Sequence, residues 1–261
     1  VSVSVRNPNG AVSNGVNLTV APPVPALSLN VPATINPAGN GTVAVTLSGP
    51  APVALQGTLS MTFVNNSNNA PNGYFDPALA FAGAAAGQPR VVTFTIAQGA
   101  TTAVISGNGA FSPGTVAGTI NIVMTALTGG GQNLLPSPAP TRDVAVDRVV
   151  PVVVAGSVRI TNVTGGFQVE LNGISSPRDL RSITYTFTAS GTSILEGASV
   201  PVDVASLFTT YFASDAGRNA GGTFRFTIPF TVAGGDAAAV TSVTVTMTNS
   251  VGTSTAVSGG R

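Results

Sequence analysis

Apolar and polar residues alternate with a period of two along most of the chain. Val43, Val45 and Leu47 are spaced by Ala44 and Thr46, Val92, Phe94 and Ile96 by Thr93 and Thr95, and Ile183, Tyr185 and Phe187 by Thr184 and Thr186. That spacing puts alternate side chains on opposite faces of a strand, one for a core and one for solvent. It predicts strands over 27–31, 41–48, 57–64, 90–97, 101–106 and 115–127, then over 152–163, 166–173, 180–189, 199–203, 222–232, 239–249 and 253–257. Gly (31 residues) and Pro (19) fall between these segments, as turn residues between short strands do. Phe75 and Phe81 are expected to plug a core where the Asn-rich loop 65–73 returns.

One stretch has a different period. In 204–213, Leu207, Phe208, Tyr211 and Phe212 recur at spacings of one, three and four, which predicts a short helix over the end of a sandwich. Asp203 precedes it as a candidate cap.

Two proline-rich segments, Ala21–Pro25 and Leu135–Pro140, divide the chain. Pro-rich sequence is stiff and extended, so both read as linkers. The expected fold is all-β: a hairpin at 1–22, a first β-sandwich at 26–140, and a second at 149–261 carrying the one helix.

The hairpin organises the rest. Val1, Val3 and Val5 alternate with Ser2 and Ser4, Asn7-Pro8-Asn9-Gly10 is turn chemistry, and Val16, Leu18 and Val20 resume the alternation. Val243, Val245 and Met247, followed by Asn249 and Gly252, repeat the first half of that pattern at the far end of the chain. The alternating Val and Ser/Thr, the Asn-x-x-Gly turn, the Ser-Asn pair and the closing Pro-Pro make residues 1–22 resemble the last hairpin of a bacterial immunoglobulin-like domain of the IPT/TIG kind. Residues 240–257 resemble it less closely. The resemblance implies immunoglobulin-like sandwiches from secreted or cell-surface proteins.

Charge changes the picture more than any motif. Only 7% of residues are charged, against about a quarter in ordinary soluble domains. Every basic residue is Arg, and the first 141 positions contain only Arg6, Asp76 and Arg90 as charges. With a net charge of +1, little repulsion keeps copies of the chain apart. Ten scattered Arg against nine acids form no basic stripe for nucleic acid.

The chain has no His and no Cys. It therefore lacks the usual nucleophile–base pairs, the usual zinc ligands and any disulfide. A glycosidase would need two carboxylates facing one cleft, and the acids here read instead as turn formers or ion-pair partners of nearby Arg. No catalytic residue and no cofactor is assigned. Calcium is the one cation considered, at Asp143 and Asp147 beside the second linker, although each has an Arg next door. Four Asn-x-Ser/Thr sequons, at Asn17, Asn40, Asn65 and Asn162, match the N-glycosylation motif. The chain starts at Val without a basic-then-apolar leader, which fits removal of a signal sequence, and no apolar run has the length of a spanning helix.

Three functions follow. A two-stranded hairpin is marginal alone in water, so Val1, Val3, Val5, Val16, Leu18 and Val20 are expected to anchor in another sheet. If other copies supply that sheet, the chain is a subunit of an extracellular filament or surface assembly. The alternatives are an adhesion or carbohydrate-binding module on surface glycans, and a passive spacer from a longer tandem array. Sugar-binding faces are usually aromatic, and this chain has no Trp and only three Tyr.

Overall fold

The computed structural model describes residues 2–17, 23–66, 76–191, 197–233 and 236–261. Val1, Leu18, Val20 and Phe75 lie outside them, and of Val16 only the main chain is described.

The first strands are β1 (Ser2–Val3) and β2 (Val16–Asn17), which form a separate two-stranded antiparallel sheet. The first sandwich follows. One layer contains β3 (Leu27–Asn30), β5 (Gly41–Thr42), β6 (Ala44–Leu47), β8 (Leu79–Phe81) and β11 (Ala110–Pro113). The other contains β4 (Thr34–Ile35), β7 (Leu55–Asn65), β9 (Val91–Ile96), β10 (Val104–Ile105), β12 (Gly118–Gly129), β13 (Gln132–Asn133) and β14 (Thr141–Val146). The sheet order in this second layer is β10-β9-β7-β12-β14-β4, with β14 and β4 parallel. Its alternating strands put Leu55, Leu59, Met61, Val92, Phe94, Ile120, Ile122 and Met124 into one core with Val43, Val45 and Phe111 from the facing layer. Phe81 is buried there too, edge-on to Phe111.

The first unit runs past residue 140. Val144 and Val146 of β14 belong to its core, and the strand pairs with β12 from Val146 through Thr141. The boundary expected at the Leu135–Pro140 linker thus falls before the last strand of the first sandwich, on which Arg142 and Asp143 are exposed.

The second sandwich is built from β15 (Val152–Val153), β16 (Arg159–Val163), β17 (Gly166–Ile174), β18 (Ser182–Ala189), β19 (Ser199–Asp203), β20 (Thr223–Thr231), β21 (Val240–Thr248) and β22 (Val257–Gly260). β20, β17 and β15/β16 make one layer, and β22, β21, β18 and β19 make the other. A parallel contact, Arg159 to Gly260, joins the layers at one side. With β15 and β16, which both pair with β17, counted as one split first strand, this is the strand order of an immunoglobulin-like sandwich, in which β18 is the third strand and β21 and β22 are the sixth and seventh. The expected continuous strand over 152–163 is split by a turn at Ala155-Gly156, where Gly156 has a φ of 72°.

Three cross-strand partners of phenylalanine are glycines: Gly41 opposite Phe111, Gly57 opposite Phe94 and Gly173 opposite Phe224. Each ring lies over its glycine, where a Cβ would come within 2.2–2.4 Å of it. A side-chain-free position lets the aromatic ring cover the strand.

The helix expected at 204–213 is α1 (Ala205–Ala213), followed by a single turn, α2 (Asp215–Arg218). Asp203 accepts the N–H of Ala205 at 2.9 Å, although the cap position itself is Val204. Phe208 and Phe212 are buried and Tyr211 is half-buried, whereas Leu207 is exposed. Three of the four residues in the apolar stripe thus face the core.

Candidate functional site

Two features stand out: the separate hairpin and the contact between the sandwiches.

The hairpin is closed by its own hydrogen bonds. Asn7 N–H donates to Ala11 O at 2.8 Å, Gly10 N–H to Asn7 O at 2.9 Å, and Ser13 N–H to Val5 O at 2.8 Å. Val5 N–H donates in turn to Ser13 Oγ at 2.9 Å. The hairpin at the end of the second sandwich has the same arrangement: Ser254 N–H donates to Met247 O at 2.8 Å and Met247 N–H to Ser254 Oγ at 2.9 Å. In both, the serine hydroxyl donates to the next carbonyl, Asn14 O at 3.2 Å and Thr255 O at 2.9 Å. The registers also agree, Val3 with Val16 as Val245 with Val257, Ser2 with Asn17 as Thr244 with Ser258, and Arg6 with Val12 as Thr248 with Thr253. The intervening turns differ by one residue. The motif match seen in sequence is therefore a match of main-chain geometry.

The surroundings differ. Val245 and Met247 are 0% exposed, whereas Val3 is 50% and Val5 67% exposed. Of the six expected anchors, then, the structure shows two apolar side chains turned to solvent and one main-chain partner, Val16. Val1, Leu18 and Val20 lie outside the described residues.

The contact between sandwiches is polar and buried, and no sequence motif announced it. Residues 113–118, 175–178 and 221–222 are all buried. Asp76, 2% exposed, accepts from Thr115 N–H at 2.5 Å and from Thr115 Oγ at 2.9 Å through one carboxylate oxygen, and from Ala78 N–H at 2.9 Å through the other. The Thr115 hydroxyl accepts from Gly222 N–H of the second sandwich at 2.8 Å. Ala117 N–H donates to Ser176 O at 3.0 Å beside it. Gly221 has a φ of +64°, and a Cβ there would meet Thr115 Oγ1 at 2.4 Å and Asp76 Cγ at 2.9 Å. Glycine is thus required on both grounds, conformation and space.

Arg178 holds the same loop from behind. It is 0% exposed with a φ of 56°, and its guanidinium donates to Phe212 O at 2.6 Å, Gly217 O at 3.1 Å and Gly221 O at 2.5 Å. It also lies over the Phe212 ring, 4.9 Å from the centroid. Carbonyls at helix C-termini carry partial negative charge, so a buried arginine satisfies α1, α2 and the 221 loop together. Asn249 completes the joint by donating to Val149 O at 2.9 Å.

Carboxylates elsewhere occupy turns and ion pairs. Asp236 accepts from Ala238 N–H, Asp179 from Ser250 N–H and Asp143 from the Asn121 amide. Glu170 pairs with Arg225 and Asp215 with Arg218. Asp143 and Asp147, the candidate calcium ligands, are separated along β14 and its end. Among the described residues no three His, Cys, Asp or Glu gather as a metal site. A cleft of about 620 Å³ beside β3 is lined mostly by prolines and aliphatic residues, with Thr141 and Arg142 as the polar side chains among the described lining residues. Burial raises the pKa values of the Tyr185 and Tyr211 phenols, and the Arg178 charge partly offsets the rise at Tyr211.

No family model matches the chain, and no curated protein matches it. Among solved structures, it is similar to the class 5 fimbriae chaperone CfaA (7% identity, TM-score 0.29, covering 90% of this chain and 99% of that one). It is also similar to the calcium-binding domain CBD12 of CALX1.1 (13%, 0.29, 85% and 78%). A third is the structure of the manganese lipoxygenase of Gaeumannomyces graminis with part of zonadhesin of Komagataella pastoris (13%, 0.20, 92% and 94%). Likeness this distant carries no statement about function. Among the described residues no helix is long and apolar enough to cross a membrane.

Proposed function

We propose that the protein is a non-catalytic structural module of a secreted or cell-surface β-sandwich array, of the IPT/TIG-like kind, and that it works by holding its sandwiches in a fixed relation. One observation carries this: the Asp76–Thr115–Gly222 connection, a buried polar joint between two folded units. Asp76 fixes the Thr115 side chain inside the first sandwich, and the buried bonds from Gly222 N–H to Thr115 Oγ and from Ala117 N–H to Ser176 O then tie the second sandwich to it. The low charge and Thr-rich strands suit a surface that lies beside other copies or other modules. Immunogold labelling of intact source cells tests the placement: label outside the envelope is expected, and label only after permeabilisation contradicts it.

A second reading is favoured by the exposed Val3 and Val5. The hairpin would add to an open sheet of another copy, giving filaments through main-chain hydrogen bonds. It expects regular fibres in negative stain that vanish when residues 1–22 are deleted. A concentrated monomer indifferent to that deletion removes it.

A further inference from the structure

In the second sandwich, the hairpin that matches residues 2–17 is never alone. The main-chain groups of Thr244, Thr246 and Thr248 face β18, since Arg181 N–H reaches Thr248 O at 2.8 Å and the registers run Thr186–Thr244, Thr184–Thr246 and Ser182–Thr248. The alternate residues, Val245 and Met247, are buried inside the sandwich. The equivalents of the outward-facing edge are Ser2, Ser4 and Arg6, where the described residues place no further strand. The equivalents of the buried face are the exposed Val3 and Val5.

We propose that residues 2–17 are the sixth and seventh strands of a third immunoglobulin-like sandwich. Its fifth and earlier strands lie on the N-terminal side of Ser2 in the same polypeptide. Chain order gives the direction, because the last hairpin of this fold follows all its other strands. The occupant of the open edge is that sandwich's third strand, hydrogen-bonded to Ser2, Ser4 and Arg6. Its opposing sheet covers Val3 and Val5. The inference deepens the tandem-array reading and rests on it, and it competes with completion by a second copy.

Hydrogen exchange read by mass spectrometry tests this on the polypeptide as isolated from its source, beside the same chain trimmed to residues 1–261. The amides of Ser4 and Arg6 are expected to exchange about 100-fold more slowly in the natural polypeptide than in the trimmed chain, and equally slowly after tenfold dilution. Val3→Asp with Val5→Asp is expected to abolish that protection while peptides from β7 and β17 stay protected, which shows the other sandwiches intact. Equal exchange in the two forms overturns the proposal, and so does protection that disappears on dilution, which would assign the edge to a second copy. Asp76 takes no part in this readout, so a loose interdomain joint would undo the proposed function without changing it.

Discussion

The hydroxyl of Thr115 in the first sandwich accepts the main-chain N–H of Gly222 in the second at 2.8 Å, while donating to Asp76 at 2.9 Å. One side chain therefore passes a hydrogen bond from a carboxylate in one unit to the backbone of the other. Buried polar groups are costly unless satisfied, so this chain of bonds holds only when the two surfaces meet in register.

Asp76→Ala leaves the Thr115 N–H without its acceptor and opens the joint. The expected loss is about 2–3 kcal/mol. Calorimetry is expected to show one cooperative transition in the natural chain and two resolved transitions in the variant. A single transition with unchanged midpoint would remove Asp76 from the joint.

Gly221→Ala adds a methyl at a left-handed position already against Thr115 and Asp76. Conformation alone costs about 1–2 kcal/mol, and displacement of buried backbone adds to it. Gly87→Ala, at a comparable φ with open space around it, serves as the control: a smaller loss is expected there in urea denaturation.

Arg178→Lys keeps the charge but loses the fork that reaches three carbonyls. A destabilisation of about 2 kcal/mol is expected in the second sandwich. The change should appear in the near-ultraviolet signal of Tyr211, whose phenol donates to Thr223 O at 3.0 Å beside α2.

Tyr185 gives a pH dependence. Its hydroxyl is buried with no hydrogen-bond partner among the described residues, and burial raises its pKa above the ordinary 10. The unfolded phenol loses its proton first. The stability this group contributes is therefore complete below about pH 10 and falls as pH rises above it. Tyr185→Phe is expected to be neutral or stabilising by up to about 1 kcal/mol at pH 7, and to flatten the alkaline loss except for the share due to Tyr211. A marked loss at pH 7 would show that the hydroxyl is satisfied.

Period-two alternation made the long strands legible because their faces are cleanly divided, as in β9 and β18. It failed where the strands are short or open with punctuating residues. β11 contains Pro113 and follows Gly107 and Gly109, and β14 follows a run of prolines, so local turn signals outweighed Val144 and Val146. The helix was legible from its aromatic spacing, but Leu207 faces solvent because one helix face is all the core can take. The hairpin match was readable as a pattern, and the structure turns it into a shared register. The joint was not readable. Thr115 and Gly222 are 107 residues apart, and each sits in an ordinary turn sequence. The one available signal was Asp76 itself, an isolated carboxylate in a stretch almost devoid of charge.

Residual dipolar couplings of the two sandwiches in solution test the fixed joint most directly. A single alignment tensor should fit amides from both sandwiches in the natural chain, and Asp76→Ala should require two of different magnitude. Two unequal tensors in the natural chain would contradict the account, because units that reorient independently cannot be held by Asp76, Thr115 and Gly222.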